Sequence, residues 1–491
     1  MKRVLEIEFV LILLSATFCL ADVRNVPMDY LTIQVAIDDA NDGDTVLVAS
    51  GIYTGDGNRD IDFRGKAITV KSEFGPEACT IDSQGTEDDP HRGFFFHSSE
   101  DANSILEGFT ITNGYTVYPT MGGGIYCDAS SPRISNCIVS ENAARLGGGI
   151  VCKDSNAIIT DCVIIGNSAI ISKGGGIFCI NASPHILDCL ITENTAFEDG
   201  GGVKCDYSNP TITRCVIRNN TAEAGGGIGI GTMGGVPSQL KMINCLITGN
   251  TSRSRGGGIH ALGEITLLNC IIFGNRADVN GGGIYFGVTP RIVNNSIIYG
   301  NIIPRATGSE ISQNPPGAAG CEPYPIKIKH SIVGSDSNAI YMPHCYSVEW
   351  LHADPLFANP GFWDANDTPD DPNDDFWVEG DYHLKSQAGR WDPNSQSWPC
   401  TESGAGWVVD DVTSPCIDAG DPNSPVGLEP FPNGGRINMG AYGGTIEASK
   451  SYFGEPVCET IIAGDINGDC VVDFKDLAIM ALHWMNCDSE P

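Results

Sequence analysis

Between about Ile61 and Trp350 the chain repeats one short pattern, in which apolar residues flank a single variable position and glycine breaks each run. Ile125-Tyr126-Cys127, Ile150-Val151-Cys152, Ile177-Phe178-Cys179 and Val203-Lys204-Cys205 all follow it, and the period is two rather than 3.6. That period predicts strands. The triplet GGG starts at Gly122, Gly147, Gly174, Gly200, Gly225, Gly256 and Gly281, with spacings of 25, 27, 26, 25, 31 and 25. Two rows keep step with it. One is Cys137, Cys162, Cys189, Cys215, Cys245 and Cys270, continued by Asn295; the other is Asn142, Asn167, Asn194, Asn220, Asn250, Asn275 and Asn301. Units this short hold two or three strands and no helix. They predict an all-β parallel β-helix solenoid of about 11 or 12 coils, with rungs about 4.8 Å apart.

Within such a coil, glycine permits the tight corners, and the asparagines are expected to hydrogen-bond along the axis as an amide ladder. The cysteines of the repeat rows, with Cys127, Cys152, Cys179 and Cys205, read as small inward hydrophobes, with occasional pairing open to an exported chain. No CxxC occurs, which disfavours zinc. Tyr126, Phe178, His260 and Tyr285 alternate with inward positions and are expected to form an external row whose rings stack on sugars. Ile138, Val163, Leu190, Val216, Leu246 and Ile271 are apolar, although strict alternation would face them outward. Either a bend at Asn136 and its equivalents turns them inward, which is the reading adopted, or they expose an apolar stripe to a partner.

The first residues read as a secretory signal peptide: Met1-Lys2-Arg3, an apolar run from Phe9 to Leu14, then small residues to Ala21. No other apolar run of membrane length follows, so a secreted or cell-surface chain with no further membrane span is expected. With 28 basic and 61 acidic residues the formal charge is -33, which excludes nucleic acid as a partner.

Candidate chemistry concentrates in three places. Asp89-Pro90-His91-Arg92, beside Glu87 and Asp88, puts an imidazole and a guanidinium among carboxylates, a set suited to proton abstraction α to a carboxyl group. Asp354 to Asp381 contains nine acidic residues and no Lys or Arg. In it, Asp364, Asn366, Thr368, Asp370 and Asp375 have the oxygen spacing of a calcium loop. At the C-terminus, Asp465, Asn467, Asp469, Asp473 and Asp476 stand at loop positions 1, 3, 5, 9 and 12, with the Val471 carbonyl at 7. The helix expected after this loop carries Leu477, Met480, Ala481 and Trp484 as one apolar stripe. Calcium is the expected cofactor. Cys470, which replaces the sharp-turn glycine at position 6, is a candidate for a disulfide with Cys487, closing a loop of 17 residues.

GGGIYC followed by PRISNCIVSEN resembles the exported bacterial right-handed β-helix proteins of the pectin-lyase-like superfamily, and also the GGxI repeats of polymorphic outer-membrane adhesins. Tyr30 to Gly55 resembles the start of such chains, which implies a helix over about 33–40 capping the first coil. Asp381 to Thr445, with DYHLKSQAGRW, SPCIDAGDP and RINMGAYGGT, resembles the closing segment of families with varied C-terminal anchors. The tail resembles one repeat of a dockerin, a calcium-folded module that docks onto cohesins, although family members carry two repeats. The resulting organisation is a signal peptide over 1–21, a cap and first coil over 22–60, repeats over 61–350, an acidic loop and closing segment over 351–450, a linker over 451–460, and an EF-hand-like module over 461–491. The resemblance implies a protein that binds or processes polysaccharide, with a cohesin-like partner. If the chain is an enzyme, the implied class is a polysaccharide lyase or glycoside hydrolase. The sequence has no GHG, no RIK and no complete catalytic set, so a non-catalytic adhesin or scaffold is the rival reading. The DPH of Asp89-Pro90-His91 is reminiscent of β-helix uronan epimerases.

Overall fold

A computed structural model describes residues 21–117, 121–233, 236–287, 291–303, 310–313, 326–334, 340–341, 346–368, 374–393 and 406–452, together with Phe474. The chain enters through the strand Val23–Val26. The helix Ile33–Asp39 then turns Ile33, Ala36 and Ile37 onto the end of the core, with Thr32 capping its first turn. From there the backbone coils. A ten-stranded parallel sheet runs from Phe94–Phe96 through Ile125–Asp128, Ile150–Lys153, Ile177–Ile180 and Val203–Asp206 to Ile340–Tyr341. A 23-stranded sheet forms the other walls, and a seven-stranded ladder of short strands closes the corner before each GGG. Register is held from coil to coil, with Cys127, Cys152, Cys179 and Cys205 stacked directly on one another.

Each glycine of the triplet answers a different steric demand. Gly174 has φ +73°, in the left-handed region. A Cβ on Gly175 would come within 2.4 Å of the Gly201 and Thr195 carbonyl oxygens of the next coil, and one on Gly176 within 3.0 Å of the Asn194 amide. That amide belongs to the ladder. Asn142, Asn167, Asn194, Asn220, Asn250 and Asn275 each donate from Nδ2 to the Oδ1 of the next, at 2.9–3.0 Å, and Asn301 ends the row on Glu310 Oε2.

The repeat-row cysteines are buried free thiols; Cys189 Sγ, for example, donates to Leu187 O at 3.1 Å. The row that starts at Ile138 departs from the inward reading. The bend is present, since Asn136 has φ 48°, but it precedes the cysteine. Alternation therefore restarts with Cys137 and Val139 inward, leaving Ile138, Val163, Leu190, Val216 and Leu246 outward and half-buried. Towards its far end the stripe is covered by the chain itself. After Leu351 the closing segment returns along the solenoid and packs Phe357, Trp377, Tyr382, Leu384 and Met439 against Ile271, Phe273 and Ile297. Among the described residues no helix is long and apolar enough to cross a membrane.

Candidate functional site

Two clusters of charged and aromatic side chains lie along the outer face of the ten-stranded sheet. Phe94 and Phe96 point into the core, which leaves Phe95 outward, and His91 and Arg92 stand just before this strand, separated from it by Gly93. Asp60, one coil earlier, adopts φ 50°; its N–H donates to Arg92 O at 2.7 Å while its Oδ1 accepts from Arg92 N at 3.1 Å. On the other side, Tyr115 N donates to His91 O at 2.7 Å. The His91 backbone is thereby fixed between two neighbouring coils.

The ring it carries lies between two carboxylates. His91 Nδ1 is 2.5 Å from Asp60 Oδ2 and Nε2 is 3.1 Å from Asp89 Oδ1. Asp89 sits in a tight turn closed by Thr86, with its side chain 68% exposed, and Arg59 Nη1 stands 3.7 Å from its other oxygen. The Arg92 guanidinium lies 4.7 Å from the Phe95 centroid and 5.3 Å from that of Tyr126, two rings stacked at 5.2 Å, and it donates to Met121 O at 3.0 Å. Burial pushes the Arg92 guanidinium below its ordinary value despite the nearby Asp60. Burial also raises the Tyr126 phenol, as does Asp128, which accepts its proton at 3.0 Å.

A second charged cluster lies four rungs along the same face. Lys204 is almost fully buried, with Nζ 2.5 Å from Asp199 Oδ2 and 3.3 Å from Asp206 Oδ1. His260 Nδ1 is 3.4 Å from Asp199 Oδ1, and Lys173 is 3.4 Å from Asp206. Burial would raise the Asp199 carboxyl, but Lys204 and His260 hold it at about 2. Burial would lower the Lys204 ammonium, but the two carboxylates keep it raised and charged. This cluster holds its charges in place, whereas the His91 cluster is open to solvent at Asp60 and Asp89.

The row expected to stack sugars is aligned as read, Tyr126 with Val151, Phe178, Lys204, Gly229, His260 and Tyr285 in successive coils. Its rings are not open platforms, however. Tyr126, Phe178, His260 and Tyr285 keep only 7, 2, 9 and 2% exposure. Phe95, Met121, Leu146 and Ile180 pack against the cluster of Tyr126, Val151 and Phe178, and the Arg255 guanidinium lies 5.1 Å from the Tyr285 centroid. The acidic-loop reading also changes. Asp375 is spent on Arg276 Nη1 at 2.9 Å, and it is Asp374 that turns into the loop, accepting from Thr368 Oγ1 at 2.6 Å. Asp364 Oδ1 accepts from Asn366 N, and Asp370 lies outside the described residues. Of the described members of this set, Asp375 is turned away from Asp364, Asn366 and Thr368. Asp465, Asn467, Asp469, Val471, Asp473, Asp476, Cys470 and Cys487 also lie outside the described residues. Among the described residues no group of three or more His, Cys, Asp or Glu is arranged to hold a metal.

Asp60 was absent from the sequence reading because its partner His91 is 31 residues away. The only signal was that a separation close to one coil brings two residues side by side.

Residues 37–196 match the right handed beta helix region family. That stretch is a right-handed β-helix. No curated protein matches the chain. Among solved structures, the β-helix is similar to pectate lyase Pel9A, with a TM-score of 0.45 and 14% identity over 86% of this chain and 96% of that one. It is also similar to the alginate lyase from Paenibacillus sp. str. FPU-7, with a TM-score of 0.36 and 13% identity over 66% and 99%. A third similar structure is the PL6 family alginate lyase AlyGC, with a TM-score of 0.30 and 15% identity over 66% of this chain and 53% of that one.

Proposed function

We propose that the protein processes an acidic extracellular polysaccharide along the outer face of the ten-stranded sheet, with His91 as its proton-transfer group. The observation that supports this is the Asp60–His91–Asp89 arrangement beside an Arg92 guanidinium held across two aromatic rings. Asp60 orients the ring through Nδ1, which leaves Nε2 as the reacting nitrogen once substrate displaces the exposed Asp89. The Arg92 guanidinium, buried behind the Phe95 and Tyr126 rings, supplies positive charge beneath the site rather than a direct partner. That charge favours a uronosyl carboxylate there, and partial neutralisation of the carboxylate acidifies the proton on the adjacent ring carbon. Loss of that proton to His91 is followed either by elimination, which forms the C–C double bond, breaks the bond to the neighbouring glycosidic oxygen and returns a proton to that leaving oxygen, or by reprotonation from solvent on the opposite face, which inverts the carbon.

The test incubates the full chain with pectate and alginate, reading unsaturated product by ultraviolet absorbance and solvent deuterium incorporation by NMR. His91→Gln should lower the rate by about a hundredfold or more, with melting unchanged. Wild-type rates in His91→Gln, or neither signal from the wild type, would sink the reading.

Attachment is the second part of the proposal. The C-terminal tail folds around Ca²⁺ held by Asp465, Asn467, Asp469, Asp473, Asp476 and the Val471 carbonyl, and presents the stripe Leu477, Met480, Ala481 and Trp484 to a cohesin-like partner. Five oxygen-bearing side chains at loop spacing support it. An exported protein fits both parts.

A further inference from the structure

The strands Phe362–Asp364 and Phe376–Val378 form an antiparallel ribbon with Phe362 opposite Val378, Trp363 opposite Trp377, and Asp364 opposite Phe376. Alternation puts both tryptophans on one face and Phe362, Asp364, Phe376 and Val378 on the other. The tryptophan face is seated on the solenoid. Trp363 Nε1 donates to Gly274 O at 2.8 Å, and the Trp377 ring lies so close over Gly249 and Gly274 that a Cβ there would approach it to 2.3 and 2.0 Å.

The other face of a ribbon with one side buried is ordinarily polar. Here Phe362 and Phe376 are 55 and 48% exposed, as diagonal neighbours about 7–8 Å apart by strand geometry. Carboxylates rim them. Asp364 lies on the same face, and Asp374 precedes Phe376 and is tied to Thr368 and Asn366. From Asp354 to Asp381 the chain has no Lys or Arg to balance them.

We propose that this ribbon is a binding platform for an uncharged polysaccharide. The C–H faces of hexose rings lie on Phe362 and Phe376, and sugar hydroxyls donate to the Asp364 and Asp374 carboxylates. The occupant follows from charge complementarity. A uronan would bring its carboxylates against those of Asp364 and Asp374, which repel them, whereas a neutral chain brings only donors and apolar faces. The platform thus holds the protein on a polymer other than the one assigned to His91 and Arg92.

Titration calorimetry of the full chain with neutral β-1,4-linked gluco-, xylo- and manno-oligosaccharides, and with oligogalacturonate, tests this. At least one neutral series should bind, with affinity independent of salt, and Phe362→Ala and Phe376→Ala should each weaken it by about tenfold or more at unchanged melting temperature. Phe376→Trp should retain binding, which separates a stacking role from a folding defect. Turnover of soluble acidic oligosaccharide should be unaffected in the Phe variants, so failure of this proposal is distinguishable from failure at His91. Absence of binding by every neutral series, wild-type affinity in Phe362→Ala and Phe376→Ala, or preference for oligogalacturonate would overturn it.

Discussion

Arg291 occupies an inward position that Leu240, Ile265 and Ile326 fill in neighbouring coils. Its guanidinium lies over the Phe286 ring at 4.8 Å and donates to Gly287 O, while Nε and Nη1 have no partner, and burial pushes it down to about 10. An unpaired buried charge costs more than its apolar replacement. Arg291→Met should therefore stabilise the chain by about 1–3 kcal/mol in calorimetric melting; a loss would mean that a carboxylate pairs with it. Lys204 is the opposite case, equally buried but set between Asp199 and Asp206. Lys204→Met should cost about 3–5 kcal/mol by removing the nearest cation from both carboxylates, leaving Asp199 only His260 and Asp206 only Lys173 at 3.4 Å, and a neutral result would show that water or these two cations suffice. The alternating pattern placed Lys204 on the outer row but did not indicate Asp199, whose approach depends on the backbone path through the GGG corner. Similarly, Asp89, His91 and Arg92 were legible as a tripeptide-scale cluster, and Asp60 became visible only when one coil was laid on the next.

The asparagine ladder shows why the coil architecture was readable from sequence. Asn194 Nδ2 donates to Ile164 O, Thr192 O and Asn220 Oδ1, while its Oδ1 accepts from Asn167 N and Nδ2. One side chain satisfies backbone groups of two coils and reaches a third through the Asn220 amide, so the position admits little else and recurs at each turn. Asn194→Ala leaves several buried polar groups unpaired and should cost about 2–4 kcal/mol in denaturant unfolding; a loss under about 1 kcal/mol would show the ladder to be dispensable. The Ile138 row was harder to read, because periodicity places a bend at Asn136 without saying which face the residues after it take up. The closing segment has no period, and its docking on Ile271 and Ile297 was not legible at all. Its stability should depend on pH through Glu429, which accepts from Asn438 N and Gly444 N through Oε1 while burial pushes it up to about 7. A carboxyl raised in the folded state adds stability below its unfolded value near 4.5, and that contribution is lost as pH rises through about 7. Between pH 5 and 8 the loss amounts to at most about 3 kcal/mol. Glu429→Gln should flatten that slope in melting curves, and an unchanged slope would assign it to other groups.

At the scale of the whole molecule, a solenoid gains stability from neighbour to neighbour, so a ligand bound beyond its last coil stabilises only what it touches. Packing by Phe357, Trp377 and Tyr382 joins the closing segment to the coils, and the two should melt together. On the proposed calcium-module reading, the tail from Ile461 onward depends instead on its own carboxylates, which repel one another until a cation neutralises them. Scanning calorimetry of the full chain should therefore show a smaller transition that moves upward with calcium, and a larger one, from the coils, that does not. A hundredfold excess of calcium over its dissociation constant would add about 2.7 kcal/mol to the first transition alone. Asp476→Ala, which removes the position-12 carboxylate, should abolish that shift, and a chain ending at Tyr452 should keep only the calcium-independent transition. If both transitions rose together with calcium, the cation would be acting on the coils and the tail would not be the calcium module. If neither moved at millimolar calcium, both the metal loop and cohesin docking through it would fall.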